Sequence, residues 1–136
     1  MATNENQGNA LFTSAGVTLA NGYVQTGALA VEIPCSGHPF TFQLGKSGDD
    51  FSSKTFYIEC AQFSADEMGM TYPAWLADTA TSGLWQAITF QTNPTGSWTA
   101  VMTSLLTVTN PFSHVRMRRT SGGTPSVLLS WTINGN

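Results

Sequence analysis

Apolar residues along this chain recur at every second position. Phe40, Phe42 and Leu44 alternate with Thr41 and Gln43, and Phe56, Ile58 and Cys60 alternate with Tyr57 and Glu59. Near the C-terminus Val127, Leu129, Trp131 and Ile133 share one parity, which puts Trp131 in the core. A period of two sends alternate side chains to opposite faces of a strand. Residues 10–13, 17–26, 28–33, 84–91, 98–109 and 112–119 read the same way, being rich in Thr, Val, Phe and Trp. Turn formers punctuate them: Pro34, Gly37 and Pro39, then Asn93-Pro94-Thr95-Gly96, Asn110-Pro111 and Ser121-Gly122-Gly123-Thr124-Pro125. Periodicity fails only over residues 64–83. Ser64-Ala65-Asp66-Glu67 has the form of a helix start there, and Gly69 and Pro73 limit its length. The pattern predicts an all-β domain, an antiparallel β-sandwich or jelly roll of about eight strands with one long loop. The domain spans 10–136, behind a flexible polar arm at residues 1–9.

Composition narrows the setting. The chain has 136 residues and is 41% hydrophobic, enough for a single core. Charged residues make up 10%, well under the roughly 25% of ordinary soluble domains. Lys46 and Lys54 are its two lysines; Ser, Thr, Asn, Gln and Gly fill the polar positions. Such a surface suits a protein packed against copies of itself or exposed outside cells. A net charge of −3 argues against a general nucleic-acid partner, which needs a basic face to displace counterions. No apolar run nears the roughly 18 residues of a membrane span. The opening Met1-Ala2-Thr3-Asn4-Glu5-Asn6 has neither the basic start nor the apolar stretch of a secretory signal, so synthesis in a cytoplasm is expected. Cys35 and Cys60, with no CxxC pattern, are expected to be buried thiols rather than metal ligands or a disulfide.

No catalytic constellation stands out. There is no GxSxG elbow, and His38 and His114 sit in a turn and at a strand start. The acidic doublets Asp49-Asp50 and Asp66-Glu67 lack the alternating oxygen ligands of a Ca²⁺ loop. The expectation is therefore no enzyme, no cofactor and no metal. Two features remain. Arg116 and Arg118 lie on one strand face about 7 Å apart. There they join carboxylates or carbonyls of a neighbouring subunit, pair internally with Glu32 or Glu59, or do both; phosphate binding is a third option. Tyr72, Trp75 and Trp98 fall in or beside loops, where aromatics serve interfaces or stack on glycans. Arg116, Arg118, Tyr72, Trp75 and Trp98 are thus the candidate subunit interface.

The segment Thr107-Val108-Thr109-Asn110-Pro111-Phe112-Ser113-His114-Val115-Arg116-Met117-Arg118, with Thr120-Ser121-Gly122-Gly123 and the last strand, resembles the closing strands of tailed-bacteriophage structural proteins. Trp85 and Ile88 fit their preceding strand more loosely. The resemblance covers about 50 of the 136 residues and implies a β-sandwich or jelly-roll virion component, often trimeric. A capsid decoration or cement protein, joined to itself as a homotrimer and to the major capsid protein or another virion protein, is the role expected. The alternative is a carbohydrate- or receptor-binding module of a tail or head fibre or baseplate.

Overall fold

The computed structural model describes residues 7–46, 56–88, 97–98, 105–109, 112–120 and 126–134. Within them the chain forms β1 (Gln7–Thr13), β2 (Gly16–Leu19), β3 (Val24–Thr26), β4 (Ala30–Ile33), β5 (Phe40–Lys46) and β6 (Phe56–Ala61). A short helix α1 (Tyr72–Ala77) precedes β7 (Gln86–Ala87), β8 (Ser97–Trp98), β9 (Leu106–Val108), β10 (His114–Arg119) and β11 (Val127–Ile133). Every pairing between strands is antiparallel, as the alternation predicts. One sheet has the order β3-β2-β1-β11-β5-β9; the other has β4-β10-β6-β7, with β8 also on β6. The two-sheet, all-β architecture is the predicted one.

The core lies between the sheets. Phe12, Phe40, Phe42 and Leu44 come from the first sheet, and Ile33, Phe56, Ile58, Val115 and Met117 from the second; all are buried. Phe12 meets Phe56 edge-on across the gap, with ring centroids 5.3 Å apart. Fully burying each such side chain is worth about 1.5–3 kcal/mol.

Several boundaries differ from the sequence expectation. Residues 7–9 are strand, not arm, because they pair with β11 from Gln7↔Thr132 to Asn9↔Ser130; residues 1–6 lie outside the described residues. The stretch 17–26 is a hairpin. Asn21-Gly22 turns it, with Gly22 at φ 89° and the Asn21 side chain accepting from the Tyr23 N–H at 2.9 Å, as an Asn-Gly turn does. Of the predicted strand 84–91, Gln86–Ala87 pairs with β6, and residues 89–91 fall outside the described ones. From 98–109 come β8 and β9, and residues 99–104 fall outside the described ones. Splitting into short strands yields eleven among the described residues where about eight were expected. Trp131 shares the inward parity but is half-buried at the margin of the core.

One backbone position is tightly specified. Gly16 opens β2 at φ +137°, and a Cβ there would lie 2.1 Å from the Gln25 carbonyl oxygen and 2.8 Å from the Gly27 nitrogen. Gly16→Ala must displace β3, so we expect a loss of about 2–3 kcal/mol in chemical denaturation. A neutral outcome would mean that β3 yields freely.

Candidate functional site

The two sheets differ in charge. Lys46 is the one charged residue in the six strands of the first sheet. The second carries Glu32, Glu59, His114, Arg116, Arg118 and Arg119. Its outer face is covered by residues 62–85, the segment whose periodicity failed. That segment builds a core of its own: Trp75, Leu76 and Leu84 are buried with Ala30 and Ala61 of the sheet, and Met68, Met70 and Trp85 pack around them.

Local sequence explains how the cap takes shape. Ser64 and Glu67 satisfy each other: the Ser64 N–H donates to Glu67 Oε1 at 2.9 Å, and the Glu67 N–H donates to Ser64 Oγ at 3.2 Å. This capping box opens a turn rather than a helix, closed by Gly69 at φ +66°. Thr71 then caps α1 by accepting from the Ala74 N–H, and Pro73 occupies the first turn, where no N–H is needed. The indole of Trp75 donates to the Phe63 carbonyl and that of Trp85 to the Trp75 carbonyl, both at 3.0 Å.

Beneath the cap sits a charged triad. In the ladder Arg116 stands between Glu32 on β4 and Glu59 on β6. It chooses Glu59, donating from Nε to Oε1 at 2.9 Å. Arg118 donates to both oxygens of the same carboxylate, at 2.9 and 3.2 Å. Arg116 also donates to the Leu76 carbonyl at 2.6 Å, satisfying one of the acceptors that a helix end leaves open. Aromatic faces close both ends, Trp85 at 4.4 Å from the Arg116 guanidinium and Tyr57 at 4.5 Å from that of Arg118. Burial alone would raise the Glu59 pKa, but the hydrogen bond and charge of Arg118, with those of Arg116, hold it below the usual glutamate value. Arg119, on the inward parity, is buried against the Phe12 ring and donates to the Thr13 carbonyl.

The open reading of the arginine pair thus resolves toward internal pairing. Arg116 is 1% exposed and has no surface to offer a neighbour. Trp75 is likewise 1% exposed, being a cap core residue rather than an interface ring. Tyr72 is 47% exposed while its hydroxyl donates to Glu32 at 2.7 Å; burial and that carboxylate raise its pKa, so it stays protonated. Trp98 stands opposite Phe56 in the β8–β6 pair; its side chain lies outside the described residues.

Sequence reasoning did not find the second cluster beside the triad. Glu32 Oε2 meets His114 Nδ1 at 3.1 Å, and the imidazole stands edge-on to Trp75, 5.2 Å between centroids. With Ser64, Asp66 and Tyr72 they line a cleft of about 330 Å³. No local motif announces it, because its members come from β4, β10, α1 and the turn. Among the described residues no three His, Cys, Asp or Glu side chains converge on a metal position, and no helix is long and apolar enough to cross a membrane. Asp49 and Asp50 lie outside the described residues. Cys35 and Cys60 are free thiols whose pKa values burial raises.

A second surface lies where β3 and β4 are the outermost of the described strands in their sheets. The crossover between them and α1 bound an apolar groove of about 410 Å³, lined by Tyr23, Ala28, Leu29, Tyr72, Pro73 and Leu76. Tyr23 is 63% exposed and Val24 beside it 43%. No family model, curated protein or solved structure matches the chain.

Proposed function

We propose that the chain is a virion structural protein of the capsid decoration or cement type, which joins copies of itself into a homotrimer and binds the assembled shell. The observation that carries this reading is the apolar groove at the open β3–β4 side. Its exposed rim of Tyr23 and Tyr72, with exposed Val24 next to Tyr23 in the chain, has the aromatic, uncharged character of a protein interface. The occupant proposed is a neighbouring face of a second copy, since a closed ring of three joins two different patches of each subunit. Strand order supports the reading as well. With the β2–β3 hairpin and the two-residue β8 set aside, β1, β4, β5, β6, β7, β9, β10 and β11 visit the sheets in the sequence first, second, first, second, second, first, second, first. We read this alternation as that of a jelly roll, an architecture shared by viral capsid and lectin domains. A cement protein acts by linkage, since whatever binds only the assembled state stabilises it, and several weak copies hold a lattice through avidity.

Light scattering on the purified chain tests self-association. We expect a trimer that Thr26→Arg with Ala77→Arg, both exposed residues lining the groove, converts to a monomer of unchanged circular dichroism. A wild-type monomer that also fails to sediment with capsids would sink the reading. The glycan alternative, as placed on Tyr72, Trp75 and Trp98, loses Trp75 to the cap core.

A further inference from the structure

Among the described strands the first sheet ends in β3 on one side and β9 on the other. Backbone bonding alternates along an antiparallel pair, so residues that bond one neighbour are two apart and those between them point away. Two bonds flanking β3 show which of its groups point outward. The Leu19 N–H donates to the Tyr23 carbonyl and the Gly27 N–H to the Ala15 carbonyl, both at 2.8 Å. Tyr23, Gln25 and Gly27 therefore turn their backbone toward β2, and Val24 and Thr26 turn theirs away from the sheet. On the other side the Asn134 N–H donates to the Pro39 carbonyl at 2.7 Å. By the same alternation Thr41 and Gln43 face β11, while Phe40 and Phe42 face β9 through Val108 and Leu106. Thr107, and Leu105 just before β9, are left pointing outward. Among the described residues these four positions have no backbone hydrogen-bond partner.

An open strand edge is a template for another strand, and proteins usually guard it with lysine, proline or an inward-pointing charge. Neither edge is guarded in that way. β3 is Val24-Gln25-Thr26 and β9 is Leu106-Thr107-Val108. Tyr23, Val24 and Leu105 add exposed apolar side chains beside them.

The two edges also fit each other. Five antiparallel steps separate β3 from β9, so the two strands run in opposite directions. A second copy set alongside without inversion therefore brings its β9 antiparallel to β3. The outward groups are two residues apart on each edge. Val24 can thus face Thr107 of the second copy and Thr26 its Leu105, each pair exchanging two backbone hydrogen bonds. The faces agree as well. Val24 and Thr26 alternate with Gln25, which stands opposite buried Val17, and Leu105 and Thr107 alternate with Leu106, opposite buried Phe42. All four side chains lie on the outer face of the sheet, and Gln25 meets Leu106 on the inner one.

We propose that the β3 edge of one copy takes the β9 edge of the next, continuing the first sheet from subunit to subunit by strand addition. The inference rests on the self-association reading and names its contact. β3 borders the apolar groove, and the two edges are the different patches that a closed ring requires. Proline tests the pairing, because it removes an outward N–H yet is tolerated on an edge strand. In light scattering Val24→Pro and Thr107→Pro should each be monomeric with unchanged circular dichroism. Mixed, they should form a heterodimer of one each, since each keeps the edge that the other lacks. A Val24→Pro chain that is still trimeric overturns the strand pairing and leaves self-association standing. A mixture that stays monomeric also overturns the pairing, and a monomeric wild-type chain overturns both readings. Should either variant fail to fold, hydrogen exchange on the wild-type oligomer decides. The amides of Val24, Thr26, Leu105 and Thr107 should exchange about tenfold or more slowly than in the unfolded chain; free exchange at these positions overturns the pairing.

Discussion

Replacing Glu59 with alanine should lower the free energy of unfolding by about 3–5 kcal/mol, the cost of leaving one member of a buried ion pair without its partner. Glu59 is the shared acceptor for Arg116 and Arg118, and Arg116 has no access to water. Its guanidinium keeps the Leu76 carbonyl and the Trp85 ring, neither of which carries a compensating negative charge. Urea denaturation of Glu59→Ala beside Arg118→Ala separates the contributions. The Arg118 variant should lose less, because that side chain is partly exposed and Arg116 retains its carboxylate. Replacing the charges together, as Glu59→Leu with Arg116→Met, should cost less than Glu59→Ala alone, since well-packed apolar groups of similar volume often substitute for a buried pair at little penalty. Should Glu59→Ala prove neutral, the triad would not be what holds the cap.

The same carboxylate sets a pH dependence. Its folded pKa lies below the ordinary value of 4.5, so the unfolded state binds the proton more tightly. The stabilisation is fully present above the ordinary value and is lost as pH falls through the depressed folded one. Glu59→Gln removes that titration. The stability gap between wild type and Glu59→Gln should therefore be constant at neutral pH and shrink on acidification below the ordinary glutamate range.

Trp75→Ala should remove a comparable about 3–5 kcal/mol, but from a different part of the molecule. The Trp75 ring is the centre of the cap cluster, with Tyr72, Trp85 and His114 around it at centroid distances of 5.5, 4.8 and 5.2 Å. The cavity left behind belongs to residues 62–85 and not to the space between the sheets. Hydrogen exchange should therefore show amides of the cap losing protection while those of β1, β11 and β5 retain theirs, as expected for a separate cooperative unit. Phe42→Ala, in the main core, should lower protection in both sheets. Uniform loss of protection in Trp75→Ala would mean that cap and sandwich unfold together.

How much of this was legible in the sequence follows from what alternation can and cannot encode. Phe40, Phe42 and Leu44, and Val127 and Leu129, announce their strands and inward faces, because burial on one side of a sheet demands a period of two. The ladder partner of a strand residue is not local information. Arg116 has a glutamate on either side in the sheet, and nothing in the order of residues says that Glu59 takes it while Glu32 turns to Tyr72 and His114. The cap hid for another reason. Trp75, Leu76 and Leu84 are buried by a helix of six residues and a set of turns, too short for any period to emerge. Asn21-Gly22, by contrast, is a readable hairpin signal that divides residues 17–26. Gly8 and Trp131 form a pair only because strands from the two ends of the chain are neighbours.

The separation of charge between the sheets has a consequence for how contacts respond to salt. Ions screen exposed charges over about 8–10 Å at ordinary ionic strength, so associations built on surface ion pairs weaken as salt rises. Contacts made through the first sheet have only Lys46 among its strand residues to screen. Among the described residues, the groove beside Tyr23 and Tyr72 is lined without Lys, Arg, Asp or Glu. Contacts through these two surfaces should therefore keep nearly the same strength in dilute buffer and in concentrated brine, whereas the charged groups of the described strands, Lys46 apart, belong to the second sheet.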